Sequence, residues 1–207
     1  MKQLIFTLLL IISGSVSCQE KYENGMEKAF GLWELGKMDE ALNLFERIAI
    51  AETGQWLPHY YIAQINSLKT WGEKDGNKVK SQLAKAQEHL KTAMAISKDN
   101  PELMVMQANI YTNWVAFDGM TYGMKYSAKI SELYNRALEL APKNPRVVLS
   151  KAEWDMGSAK YFGKDIAPFC KDVKKSLELF ESYETKSPFH PNWGRERAEQ
   201  VLIDCKG

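Results

Sequence analysis

A chain of 207 residues with 45% hydrophobic side chains has ample apolar material for one core or one continuous repeat array, so disorder is not the default expectation. Lysine and arginine number 27 against 26 acids, and removing the first seventeen residues takes away only Lys2, leaving 26 against 26. Without a net positive charge the chain lacks the electrostatic footprint of a nucleic-acid binder.

The first element is the apolar run from Leu4 to Ile12, preceded by Lys2 and followed by the small residues Ser13, Gly14, Ser15 and Ser17. Nine positions are too few to cross a bilayer, and the pattern is that of a bacterial signal peptide over residues 1–18, so the chain is expected to be exported. Its end reads in two ways. Small residues at Ser15 and Ser17 suit ordinary signal peptidase, which would release a periplasmic or secreted chain. Alternatively Cys18 is the lipidated residue of a lipoprotein box, although Ser15 stands where that box has Leu, Val or Ile.

From about residue 22 to 207 the chain reads as helices set out at fixed intervals. Small residues Ala63, Ala108, Ala152 and Ala198 each follow a large residue by eighteen positions, the large ones being Phe45, Leu90, Tyr134 and Phe180. The complementary step, from small to large, is sixteen for Ala29 to Phe45, then 27, 26 and 28 in the next three units. The turns carry their own signals. Gly36 permits a left-handed helix end and Asp39 is placed to cap the next helix, while Asn100-Pro101 and Asn144-Pro145 combine a capping side chain with a proline at the first helical position. A final helix from about Trp193 to Cys205, charged through Arg195, Glu196, Glu199 and Asp204, suits the end of a solenoid, where one face must meet water. Strand patterns are absent from the sequence.

With Tyr134, Ala137 and Pro142 in order across one unit, the array resembles the tetratricopeptide repeat superfamily, and more closely its small exported bacterial members. The resemblance implies an all-α, right-handed solenoid of about four helix pairs plus a capping helix. It also implies that the first helices of the pairs line a concave groove for a protein or peptide partner. Carried over by register from each small residue, the groove positions are Met26, Phe30 and Trp33 in the first repeat and Tyr60 and Gln64 in the second. In the third they are Val105, Asn109 and Asn113, and in the fourth Leu149 and Glu153. The expected groove is aromatic at its N-terminal end and amide-lined beyond. The carboxylate clamp of chaperone-binding members is missing, since its positions hold Tyr60, Gln64 and Met106.

The extra 10 to 12 residues of repeats two to four all fall between the first and second helix of each pair, along one edge of the array. These insertions mix rings with glycine and aspartate and are expected to form compact loops. Trp71, Phe117, Tyr122, Tyr161 and Phe162 make this edge a second candidate surface, for a partner or a sugar-like ligand.

Catalytic or metal chemistry finds little support. His59, His89 and His190 lie far apart in sequence, without the i, i+4 spacing of a metal pair, and each reads as a surface or capping residue. No phosphate loop or nucleophile elbow occurs, and no cofactor is expected. In an oxidising compartment Cys170 and Cys205 either form a disulfide, since the helix run between them can double back at the intervening turn, or remain two buried thiols. The expected function is a non-catalytic interaction scaffold of the cell envelope. The alternatives are capture of a glycan or peptide ligand and a lipid-anchored envelope-assembly factor, with the membrane reached only through Cys18. Oligomeric state is not legible.

Overall fold

The computed structural model describes residues 19–205; the expected signal segment and Cys18 lie outside the described residues. Every regular element among them is an α-helix: α1 (19–34), α2 (Met38–Ala51), α3 (Trp56–Leu68), α4 (Gly76–Ile96), α5 (Pro101–Phe117), α6 (Gly119–Leu140), α7 (Pro145–Tyr161), α8 (Ala167–Ser182) and α9 (Arg195–Asp204). Each helix packs on the next in sequence from α2 to α9, and α3, α5 and α7 also touch in series. The result is an α-solenoid of helix pairs α1/α2, α3/α4, α5/α6 and α7/α8, closed by α9.

The helix starts follow from local chemistry. Asn100 accepts from the Glu102 amide, and Asn144 from the amides of Arg146 and Val147, with Pro101 and Pro145 taking first-turn places where a missing N–H loses nothing. Gly36, at φ 74°, ends α1 with its amide bonded to the Trp33 carbonyl and the Lys37 amide to the Leu32 carbonyl, a left-handed closure that a Cβ would resist. Asp39 does not cap α2. Its carboxylate instead pairs with Lys69 just past the end of α3, and α2 starts without a side-chain cap.

Loops of the expected kind remain at 69–75 and 162–166, but the insertions add more helix than loop. Most of their length is helix: α4 and α6 run to 21 and 22 residues against 14 for α2. In the third repeat only Asp118 separates α5 from α6. Its carboxylate accepts from the Thr121 amide and starts the new helix at once, so Gly119 and Gly123 become helical.

Three apolar cores run along the array, the first through α1–α5, the second through α5–α7 and the third through α7–α9. The large residues that set the repeat interval sit in them. Phe45 and Leu90 are fully buried, as are Ala29, Ala63 and Ala108.

Between α8 and α9 the chain does not simply turn. Residues 183–194 run back past the starts of α7 and α5 to the first two repeats. There Phe189 is buried, stacked on Phe30 at 6.1 Å between ring centres, with its carbonyl accepting from the Tyr61 hydroxyl at 2.7 Å. His190 meets the edge of Trp56, and Trp193 donates from Nε1 to the Tyr60 hydroxyl at 2.8 Å. Beneath this strap Glu102 and Arg146 form a buried ion pair, Nη2 to Oε1 2.6 Å, with Nε 3.0 Å from each carboxylate oxygen. Asn144 donates to the same carboxylate, and the guanidinium lies over the Tyr183 ring. The pairing holds Arg146 above its ordinary pKa despite its burial. Finally the Cys170–Cys205 disulfide, with Cα atoms 6.0 Å apart, ties α8 to the end of α9.

Candidate functional site

One face of each first helix turns to the concave side, and spacing of three and four residues puts a row of side chains there. α3 presents Gln64, Ser67 and Leu68, with Trp71 from the turn that follows it, and α5 presents Met106, Asn109, Thr112 and Asn113. From α7 come Ser150, Glu153, Trp154 and Gly157. Tyr134 of α6 contributes from behind, and Trp193 and Arg197, from the strap and α9, close the C-terminal side. These residues enclose a cavity of about 670 Å³, within the ordinary range for small-molecule sites. A hollow of about 770 Å³ beside the strap, lined by Glu23 and Glu27 among others, has no facing row of helices and is acidic.

Most polar groups of the cavity are engaged within the protein. Asn113 donates its amide to the Ser67 carbonyl and hydroxyl and to Thr70, at 2.8 to 3.2 Å. Tyr134 donates to Asn109 Oδ1 at 2.9 Å, and burial raises its phenol pKa. Trp154 Nε1 donates to Ser131, Thr112 to the Ala108 carbonyl, and Arg197 Nε to Glu153 at 2.6 Å. Gln64 Oε1 is a buried acceptor with no partner among the described residues. What remains facing the cavity is largely indole, thioether and aliphatic surface. Metal ligation has no support in this lining, which contains no histidine, cysteine or aspartate.

Of the groove positions taken from register, Gln64, Asn109, Asn113 and Glu153 line this cavity. The position three before each small residue does not. Met26, Tyr60, Val105 and Leu149 are all fully buried, because that side of the helix meets the neighbouring pair rather than the concave space. One position later, Met106 and Ser150 do reach it. Phe30 and Trp33 stand edge-on to Phe45 and Tyr61 at 4.7 to 6.4 Å, and Phe189 covers Phe30, so the expected aromatic end of the groove is core.

The insertion edge divides. Trp71 turns into the cavity while still largely exposed. Phe117 and Tyr122 pack around Trp114, with Tyr122 stacked on Tyr126 and Tyr126 on Tyr111. Tyr161 and Phe162 touch each other and otherwise stand in solvent, 85% and 70% exposed. Trp154, Trp193 and Arg197 were not legible as lining. Trp154 follows Glu153 and shares Ser150's face at i+4, a signal within reach of periodicity, whereas Trp193 arrives through the strap.

No family pattern matches this chain, and no curated protein matches its sequence. Among solved structures the HusA haemophore from Porphyromonas gingivalis aligns over 89% of this chain and 92% of its own, with a TM-score of 0.76 and 22% identity. That likeness shows the fold. TTC0263, a thermophilic TPR protein of Thermus thermophilus, aligns over 89% of this chain and 98% of its own at 15% identity, with a TM-score of 0.43, too low to argue from. Among the described residues no helix is long and apolar enough to cross a membrane. The disulfide accords with an extracytoplasmic protein.

Proposed function

We propose that this is an exported, non-catalytic capture protein that takes a flat, mainly apolar ligand of the porphyrin class into the concave cavity. The observation that carries the reading is the lining itself. Three indoles, Trp71, Trp154 and Trp193, converge with Leu68 and Met106 on one cavity, while most of the surrounding amides and hydroxyls are engaged internally. Rings of this kind bury wide planar surface with little loss of rotamer freedom. A peptide or glycan needs a row of free donors and acceptors, and Oδ1 of Asn109 and Nδ2 of Asn113 are already taken by the protein's own bonds. The fold likeness to a haemophore supports the same class. This reading takes the ring face rather than the iron as what is bound, so an iron-free porphyrin is expected to bind much as an iron-loaded one does.

Residues 22–207 are the working unit in this reading, with 1–18 as its export signal and the disulfide formed after export. A lipid at Cys18 would be the only membrane attachment. Titration of the mature protein with protoporphyrin IX and with haemin, followed by tryptophan emission, tests the proposal. Saturable quenching that weakens at least tenfold in Trp71→Ala and Trp154→Ala is expected. Absence of saturable binding by both porphyrins, with an extended peptide bound instead, overturns capture in favour of the interaction scaffold.

A further inference from the structure

Away from the cavity, the second repeat holds two imidazoles that the capture site does not use. Nδ1 of His59, in the first turn of α3, stands 3.0 Å from Nδ1 of His89, in the second half of α4. The ring centres are 5.2 Å apart and the planes tilted by 36°. Both side chains are half-buried, so the pair is sheltered yet reachable from water. In the neutral pair one Nδ1–H donates to the other Nδ1, and the two nitrogens point into one small space. Sequence spacing hid this pair, because thirty residues separate its members and only the α3/α4 hairpin brings them together.

We propose that His59 and His89 form a two-imidazole chelate for a divalent transition ion, copper(II) or nickel(II) in preference to zinc(II), clipping α3 to α4. The bite of the pair argues for that preference. With a metal–imidazole distance of about 2.0 to 2.1 Å, a 3.0 Å nitrogen separation subtends about 94° at the ion. This is the cis angle of a square-planar or tetragonal shell, whereas tetrahedral zinc needs the nitrogens about 0.3 Å further apart.

On binding, the donor ring shifts its proton from Nδ1 to Nε2, and both Nδ1 lone pairs turn to the metal with no net proton released from the neutral pair. Burial holds both imidazoles below their ordinary pKa, which keeps the ligating neutral form at pH 7. Glu46 of α2 and Glu88 of α4 bear on His89 with negative charge, favourable to a cation, and Lys85 opposes them. Among the described residues no three His, Cys, Asp or Glu groups converge on one point, so water completes the shell.

The test uses the mature chain without a polyhistidine tag, titrated with copper(II) chloride by calorimetry and electron paramagnetic resonance. One ion per chain, with hyperfine structure from two nitrogens, is expected. Affinity should fall at least tenfold in both His59→Asn and His89→Asn and stay unchanged in His190→Asn, whose imidazole is bonded to Ser187 elsewhere in the fold. Copper at a small fraction of one equivalent should broaden the ring resonances of His59 and His89 first in the unaltered protein, a readout that needs no variant. No saturable binding, binding that survives both substitutions, or broadening that begins at His190 overturns the site.

Discussion

Trp193 and Tyr60, 133 residues apart in the chain, meet through an indole N–H donated to a buried phenol oxygen at 2.8 Å. Through this bond and the burial of Phe189 the C-terminal strap is fastened to the first half of the solenoid. The same indole forms the C-terminal side of the concave cavity. The fastening of the strap and the wall of the cavity therefore share one element.

Loosening the strap is expected to cost stability in two distinguishable amounts. Trp193→Phe removes one hydrogen bond and leaves the Tyr60 hydroxyl buried, at about 1 to 3 kcal/mol. Phe189→Ala empties a site packed by Tyr22, Phe30 and Tyr61, at about 3 to 5 kcal/mol. Urea denaturation followed by circular dichroism measures both. Equal, negligible shifts would mean that the strap is not fastened as described.

Gly194 precedes α9 at φ 113°, and a Cβ there would lie 2.9 Å from Phe180 Cζ. Gly194→Ala should therefore destabilise by about 1 to 3 kcal/mol from backbone strain alone, with the clash in addition. Adding Phe180→Leu should return only part of the loss, since it relieves the contact and not the φ. Thermal melts of the single and double variants give the comparison.

The Glu102–Arg146 pair is buried on both sides, at 7% and 1% side-chain exposure. Removing one partner strands a charge, so Glu102→Leu or Arg146→Met alone should lower stability by about 3 to 5 kcal/mol. The double variant should lie closer to the unaltered protein than either single one, because desolvation of both charges is then avoided. Chemical denaturation of the four proteins completes the cycle.

The three histidines, His59, His89 and His190, are each held below the ordinary imidazole pKa, first of all by burial. The unfolded chain then binds more protons than the folded one as pH falls below about 6.5, so stability is full above that value and declines beneath it. The decline levels off once the folded pKa values are passed. Stability measured between pH 8 and 5 should show this slope, reduced in His59→Asn/His89→Asn. A flat profile would contradict the burial of these rings.

Breaking the Cys170–Cys205 link is expected to lower stability by about 3 to 4 kcal/mol, on the chain-entropy estimate for a separation of 35 residues. A Cys170→Ser/Cys205→Ser variant measured under the same conditions as oxidised protein checks it. α9 is the element expected to loosen, since its buried residues are few, Ala198 and Val201.

The helix pairs are legible along the chain. Their eighteen-residue step, the Asn-Pro caps and the small residues at fully buried positions are local rules, each satisfied within a few turns of chain. The sequence also placed Gln64, Asn109, Asn113 and Glu153 on the inner face, because helical period alone orients them. Where that face is open depends on contacts between distant segments. The chain's own strap covers Phe30 and Tyr60, Trp193 closes the cavity from 133 residues away, and the α3/α4 hairpin brings His59 onto His89. No interval along the chain encodes these contacts. The physical reason is that periodicity fixes the direction of a side chain from its own helix axis, whereas the neighbour it meets depends on how the packed helices are finally tied together.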